Sequence, residues 1–197
     1  MWVVKIGGSM NHDPLLPQWL DLLSQLGGGR VTIVAGGGSF ADEVRREQAR
    51  WHFDDLTAHN MALLAMAQVA QLLHALNPTL QPASNEDDIR RVLRTGRTVV
   101  WSPLELLRTT PDATSNWDTS SDSIALGLAL RLNAERLVVL KSCDIDLALG
   151  LDQLGDLGIV DRRFAALAQG AAFPIDVVSR TDLPRVRSLL LGERSTA

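Results

Sequence analysis

Short apolar runs alternate with longer stretches of helical periodicity along nearly the whole chain. Trp2–Ile6 has the pattern of a buried strand and stops at Gly7 and Gly8. Val31–Ala35 repeats it and stops at Gly36, Gly37 and Gly38. Thr98–Trp101, Leu137–Leu140 and Ile175–Val178 are predicted strands of the same kind. Between them the period predicts helices over Pro14–Leu26, Ser39–Arg50, Asp55–Leu76, Asn85–Arg94, Ser121–Leu132, Arg162–Gln169 and Leu183–Leu190. Asp13 can cap the first helix, Pro14 suits its first turn, and Gly27–Gly29 end it. Ser39 reads as the next cap, with Asp42 in the place of a capping-box partner. Asp54 or Asp55 can cap the long helix, and Asn85 the one after it. Asn77–Asn85 and Thr109–Asn116 read as exposed loops.

Strands that alternate with helices predict an α/β fold, with a mostly parallel sheet covered on both faces as an αβα sandwich. Crossovers are then right-handed, and ligands belong at the carboxyl ends of the strands. The 197 residues suit a single compact domain with a full core.

Charge and composition narrow the partners. A net charge of −4 and a pI near 5.5 argue against a general affinity for nucleic acid or anionic membrane. Arg45–Arg46 and Arg90–Arg91 lie on helices that also carry acids, so they read as solvated faces. Cys143 is the only cysteine, which excludes an intrachain disulfide and a cysteine-based zinc site. His12, His52 and His74 lack metal-ligand spacing, and Met61 and Met66 read as core or subunit interface. Residues 1–9 lack the features of a signal peptide, and no apolar run approaches the roughly 18 residues of a membrane span. The expected compartment is the cytoplasm.

The chemistry concentrates where strands end. Lys5-Ile6-Gly7-Gly8-Ser9 and Ala35-Gly36-Gly37-Gly38-Ser39 are glycine turns. Their N–H groups, with a helix N-terminus behind, can make an anion site, and Lys5 adds a positive charge. The alternative is two tight strand-to-helix turns. No segment fits the Gly-x-x-x-x-Gly-Lys-Ser/Thr loop. Gly36, Gly38 and Ala41 satisfy a dinucleotide motif, but a helical stretch lies where its second strand and acid should follow. Trp117-Asp118-Thr119-Ser120-Ser121-Asp122-Ser123 opens a helix, so its hydroxyls and acid are first of all caps. Beside two phosphate turns, Asp122 can also orient lysines or hold Mg²⁺ through water. Lys141-Ser142-Cys143-Asp144 follows a strand, which makes Lys141 a candidate for nucleotide phosphates.

In this order the segments Val4–Ser9, Gly36–Asp42, Thr119–Leu126 and Lys141–Asp144 resemble the amino acid kinase family, which includes acetylglutamate, carbamate, uridylate and isopentenyl phosphate kinases. The resemblance implies the carbamate kinase-like fold, ATP and Mg²⁺ as cofactors, and a homodimer or larger homo-oligomer. It implies an acceptor-binding half over about residues 1–110 and a shortened nucleotide-binding half over about residues 111–197.

A closer likeness is to the (aminomethylfuranyl)methyl phosphate kinases of methanofuran biosynthesis and their methylotroph relatives. It rests on Gly38–Arg45, Asp55–Ala62, Trp117 and Val160–Phe164. That family converts a phosphomonoester to a diphosphate. The likeness implies that Lys5 bridges the β- and γ-phosphates and that Gly7, Gly8 and Ser9 cradle the moving phosphoryl group. Gly36, Gly37 and Gly38 would hold the acceptor phosphate, and Asp122 would organise the site. Lys141, Ser121, Asp144 and Asp161 would lie near the nucleotide, with Lys5, Asp122 and Lys141 as the catalytic set. An acceptor bearing an ammonium can meet Asp54, Asp55 or the His59–Asn60 pair. A carboxylate, carbamate or nucleotide acceptor, or a ligand-binding relative without turnover, remains open at this level.

Overall fold

The strands that predict a sheet do pair, all in the same direction. The computed structural model describes residues 1–112, 115–146 and 148–193, with Arg162 by its backbone only. Among them the strands are β1 (Trp2–Ile6), β2 (Val31–Ala35), β3 (Gln81–Ala83), β4 (Val99–Trp101), β5 (Arg136–Lys141) and β6 (Ile175–Ser179). They form one six-stranded sheet in the order β3-β4-β2-β1-β5-β6, and every neighbouring pair is parallel. The helices are α1 (Leu16–Leu26), α2 (Gly38–Trp51), α3 (Asp55–Leu76), α4 (Glu86–Arg94), α5 (Ser121–Arg131), α6 (Leu151–Asp156), α7 (Arg162–Ala168) and α8 (Leu183–Leu191).

β1 and β2 are buried at every position, which is why they read as unbroken apolar runs rather than alternating ones. Two cores fill the two faces. Val4, Ile6 and Ile33 pack with Trp19, Leu23 and Val186 of α1 and α8. Val3, Val34 and Val139 pack with Leu126, Ala129 and Phe164 of α5 and α7. The sandwich expected from the alternation is therefore present, with three layers.

α3 is long and apolar enough to cross a membrane by length and composition, contrary to the sequence expectation. In the fold it packs on α2, β2 and β4 and buries Leu63, Met66, Val69 and Leu73. The capping predictions for α3 and α4 hold. Asp54 accepts from the Thr57 N–H at 2.7 Å, and Asn85 accepts from the Asp88 N–H at 2.9 Å.

Three expectations are corrected. Asn77–Asn85 is not an exposed loop: it contains β3, and Leu80 is fully buried. Pro82 has no N–H to give, which an edge strand with one partner tolerates. α1 starts at Leu16, two residues late, because Asp13 accepts from the Leu15 N–H in the turn before it. Ser39 does not cap α2, whose N-cap is Gly37 with no side-chain bond. Thr109–Asn116 is a loop as expected: Thr109–Asp112 are exposed and Ser115 is buried, while Ala113 and Thr114 lie outside the described residues. α6 and the short 3-10 helices Gly8–His12 and Leu104–Leu106 were not anticipated.

Candidate active site

β1 and β2 end side by side, so their glycine turns leave the sheet together at its carboxyl edge. The turns touch backbone to backbone. A Cβ on Gly8 would stand 2.4 Å from the Gly38 nitrogen, and one on Gly36 would stand 2.5 Å from the Gly8 nitrogen. Only glycine fits that contact. Gly38 also has a φ of +55°, a left-handed backbone that glycine adopts without strain.

The turn N–H groups do not all face the site. Gly7 donates to the Leu140 carbonyl at 2.9 Å, and Gly36 donates to the Ile6 carbonyl at 2.8 Å. Both extend the sheet ladder, so their N–H groups are not the phosphate donors the sequence suggested. Among the described residues, the N–H groups of Gly8, Ser9, Gly37 and Gly38 have no hydrogen-bond partner.

The floor beside the turns carries three buried charges. Lys5 Nζ lies 2.7 Å from Asp122 Oδ1, and Lys141 Nζ lies 2.6 Å from Asp122 Oδ2. The Lys141 contact is a hydrogen bond, whereas the Lys5 contact is an ion pair outside hydrogen-bond geometry. Lys5 comes from β1, Lys141 from the end of β5, and Asp122 from the first turn of α5. Ser120 fixes that turn by accepting from the Asp122 N–H at 3.1 Å. Burial pushes the Asp122 carboxyl up, but the two lysines outweigh it and hold it below 3.8. Burial and the nearby Lys5 push the Lys141 ammonium below 10.5, against the pull of Asp122. One carboxylate does not balance two ammonium groups, although the Asp161 carboxylate also acts on Lys141, so the two lysines are placed to meet an anion.

Two cavities meet here. The first, of about 460 Å³, is lined by Gly8, Ser9, Gly37, Gly38, His59 and Ser121 among others. The second, of about 420 Å³, is lined by Lys5, Asp122, Lys141, Asp156 and Asp161 among others. Arg45, Trp117 and Ser120 line both. Either volume suits a small molecule.

The remaining predicted residues divide. His59 is buried on the wall of the first cavity, and burial, helped by Arg108, holds its imidazole below 6.5. Ser121 lies on the side of the glycine turns, not in the second cavity where the nucleotide expectation placed it. Asp161 lines the second cavity, but its carboxylate is occupied: it accepts from Ser120 Oγ, Ser123 Oγ and the Phe164 N–H. It ties α5 to α7. Asp55 is exposed and outside both cavities, where it accepts from Gln48 Nε2 at 2.9 Å. Asp144 is exposed and lines neither cavity; Ser142 instead meets Ser9, hydroxyl to hydroxyl, at 2.6 Å. Among the described residues no group of three or more His, Cys, Asp or Glu could hold a metal. Both Asp122 oxygens already face lysines, so the side chains do not form a Mg²⁺ ligand set.

Sequence reasoning missed Arg45, taken for a solvated face. The available signal was spacing: Gly38, Asp42 and Arg45 recur at helical intervals on one face of α2.

Residues 1–145 match the amino acid kinase family. The chain belongs to this family. Its members are phosphotransferases, and the matched segment contains both glycine turns and the whole Lys5–Asp122–Lys141 cluster. The chain is similar to the (5-(aminomethyl)furan-3-yl)methyl phosphate kinase of Methanocaldococcus jannaschii, 25% identical over 148 residues, 74% of this chain and 67% of that one. Its fold resembles the uridylate kinase of Archaeoglobus fulgidus, with a TM-score of 0.72, 16% identity and coverage of 98% of this chain and 96% of that one. It also resembles an isopentenyl phosphate kinase, with a TM-score of 0.60, 17% identity and coverage of 98% and 97%. The six-stranded parallel sheet of this kinase is thus the amino acid kinase fold.

Proposed function

We propose that this kinase transfers the γ-phosphoryl group of ATP to a small phosphomonoester, such as (aminomethylfuranyl)methyl phosphate, and so forms a diphosphate. The observation that carries the reading is the pair of buried lysines on one carboxylate, lining a cavity that shares Arg45, Trp117 and Ser120 with the cavity of the glycine turns. The acceptor occupies the first cavity and the nucleotide phosphates the second. An oxygen of the acceptor phosphate attacks the γ-phosphorus. The bond from that phosphorus to the β-phosphate oxygen breaks, and ADP leaves with the electron pair. A phosphomonoester oxygen is already anionic near neutral pH, so no general base is needed. The task is to position two anions and to offset their repulsion.

Lys5 and Lys141 supply charge to the nucleotide side, and Asp122 keeps both ammonium groups aimed and prevents them from repelling each other apart. The Gly8 and Ser9 N–H groups face the transferring group; those of Gly37 and Gly38 face the acceptor. Mg²⁺ would be held by the nucleotide phosphates and would offset their charge, since no side-chain set among the described residues could hold it. The methanofuran-type acceptor is supported by the relative from Methanocaldococcus jannaschii. Pairing of two copies through α3, which exposes Leu64, Leu72 and Leu76, belongs to the same proposal, and the solution mass tests it.

Calorimetric titration with Mg·ATP tests the donor side. Saturable binding is expected, weakened roughly tenfold or more by Lys5→Ala, because hydrogen bonds to charged groups are worth about 1.5–3 kcal/mol. Absence of binding at about millimolar ATP, where the free energy is only about −4 kcal/mol, refutes the kinase reading. Mass spectrometry of products from a panel of phosphorylated acceptors then separates a phosphomonoester from a carboxylate or carbamate acceptor.

A further inference from the structure

We infer that Arg45, which lines both cavities, binds the acceptor's phosphate on the side of the first, and that Trp117, Gln48 and Asp55 hold it in position for that task. The inference rests on the kinase reading for which cavity takes the acceptor. It assigns the acceptor's charge to a side chain outside the glycine turns and the lysine cluster.

The first argument is charge. A phosphomonoester carries close to two negative charges at neutral pH. Lys5 and Lys141 line the second cavity and not the first. The titratable groups on the wall of the first cavity are His12, Asp42, Arg45 and His59. Burial holds His59 towards its neutral form. Arg45 is therefore the permanent cation among the described residues that line this cavity.

The second argument is geometry. The Arg45 guanidinium carbon lies 4.3 Å from the centre of the Trp117 ring. That stack covers a face of the guanidinium and leaves its N–H edges for hydrogen bonds, the fork that suits a phosphate. The indole is itself fixed from behind. Its Nε1 donates to Gln48 Oε1 at 2.5 Å. Gln48 Nε2 donates in turn to Asp55 Oδ1 at 2.9 Å and to the Phe53 carbonyl at 3.3 Å. Asp55, which the sequence suggested as a partner for an acceptor ammonium, thus acts at a distance as a positioning residue.

The third argument is what Arg45 does without a ligand. Its ion pair with Asp42, at 3.2 Å, joins two side chains that are both more than half exposed and one helical turn apart. Pairs of that kind are weak. A bidentate phosphate displaces Asp42 readily, and Asp42 then becomes a repulsive neighbour of the bound anion. The two residues therefore affect anion binding with opposite sign.

The test is a titration of the full chain with methyl phosphate, the smallest phosphomonoester, followed by tryptophan fluorescence. Trp117→Phe identifies the part of the signal that comes from the indole beside Arg45. Arg45→Gln should weaken binding roughly ten- to hundredfold, and Arg45→Lys should fall between that variant and the native chain. Asp42→Asn should tighten binding. Gln48→Ala should weaken it, yet add little to Arg45→Gln in the double variant, since it acts through Arg45. Native affinity in Arg45→Gln overturns the inference, and so does failure of methyl phosphate to bind the native chain. Mg·ATP calorimetry on the same samples separates the two claims. ATP binding together with methyl phosphate binding indifferent to Arg45 removes the Arg45 assignment alone. Arg45-dependent methyl phosphate binding without ATP binding removes the kinase reading alone. Weakening of ATP in place of methyl phosphate by Arg45→Gln puts Arg45 on the wrong cavity and overturns the inference.

Discussion

Replacing Asp122 by asparagine keeps the side-chain volume and removes the charge. Asp122 is 2% exposed, with ammonium groups 2.7 and 2.6 Å from its two oxygens. The variant buries two like charges with nothing between them. Removing one partner of a buried pair costs about 3–5 kcal/mol. Part of that is relieved by deprotonation, because burial and Lys5 already disfavour the Lys141 ammonium. We therefore expect about 3 kcal/mol at pH 7, the low end of that range. With a urea slope of about 2 kcal/mol/M, the unfolding midpoint should fall by about 1.5 M.

The pH dependence fixes the sign. The folded Lys141 titrates below 10.5, so between its folded value and 10.5 the unfolded chain binds more protons and stability rises with pH. Without Asp122 the Lys141 ammonium titrates lower still, so the deficit of the variant should shrink as pH rises from the variant's folded value to the native one and stay level from there to 10.5. The native Asp122 carboxyl is held below 3.8, so its contribution is present above 3.8 and is lost as pH falls through the folded value. Added phosphate should recover part of the loss at pH 7 by supplying the missing anion. A native midpoint and slope for Asp122→Asn at pH 7 would refute the claim that one carboxylate holds the two lysines.

Gly8→Ala places a Cβ 2.4 Å from the Gly38 nitrogen and 2.7 Å from its Cα, against backbone that cannot rotate away. A loss of about 1–3 kcal/mol is expected in urea unfolding, as for other overpacked sites, together with loss of Mg·ATP binding. Gly127→Ala in α5 meets open space and should stabilise by up to about 1 kcal/mol, so equal effects for the two would refute the turn contact. Burial and Arg108 hold His59 below 6.5, so the native chain should lose stability as pH falls from 6.5 through the folded value, and His59→Gln should flatten that profile. An acid limb unchanged by His59→Gln in urea midpoints would show that another group titrates there.

The residues that could be read from the sequence are those whose local chemistry and tertiary role coincide. Asp55–Leu76 is a long periodic run with a capping acid before it, and the helix has those bounds. Lys5, Asp122 and Lys141 sit where strands end or a helix begins, so the parallel topology alone brings them to one edge. What failed was set by partners far along the chain. β3 has a proline at its centre and exists because β4 pairs with it. Ser39 has the chemistry of a cap, but α2 begins one residue earlier, where Gly38 packs against Gly8. The Gly7 and Gly36 N–H groups look like phosphate donors until Leu140 and Ile6 are placed opposite them. Arg45 carries an acid one turn away, as solvated arginines do, and only the position of Trp117 sets it apart.

The contact between the two glycine turns turns the floor of the site into a fixed ruler. Gly8 lies against Gly36 and Gly38 with no side chain between them, so the spacing from one turn to the other is set by two backbones in van der Waals contact. No single substitution can lengthen or shorten it by a small step, since even one methyl group forces the strands behind it to move. A chain that inherits this floor can exchange its acceptor only by altering the walls, at positions such as Arg45, His59 and Trp117, and leaves the span between the reacting groups as it was.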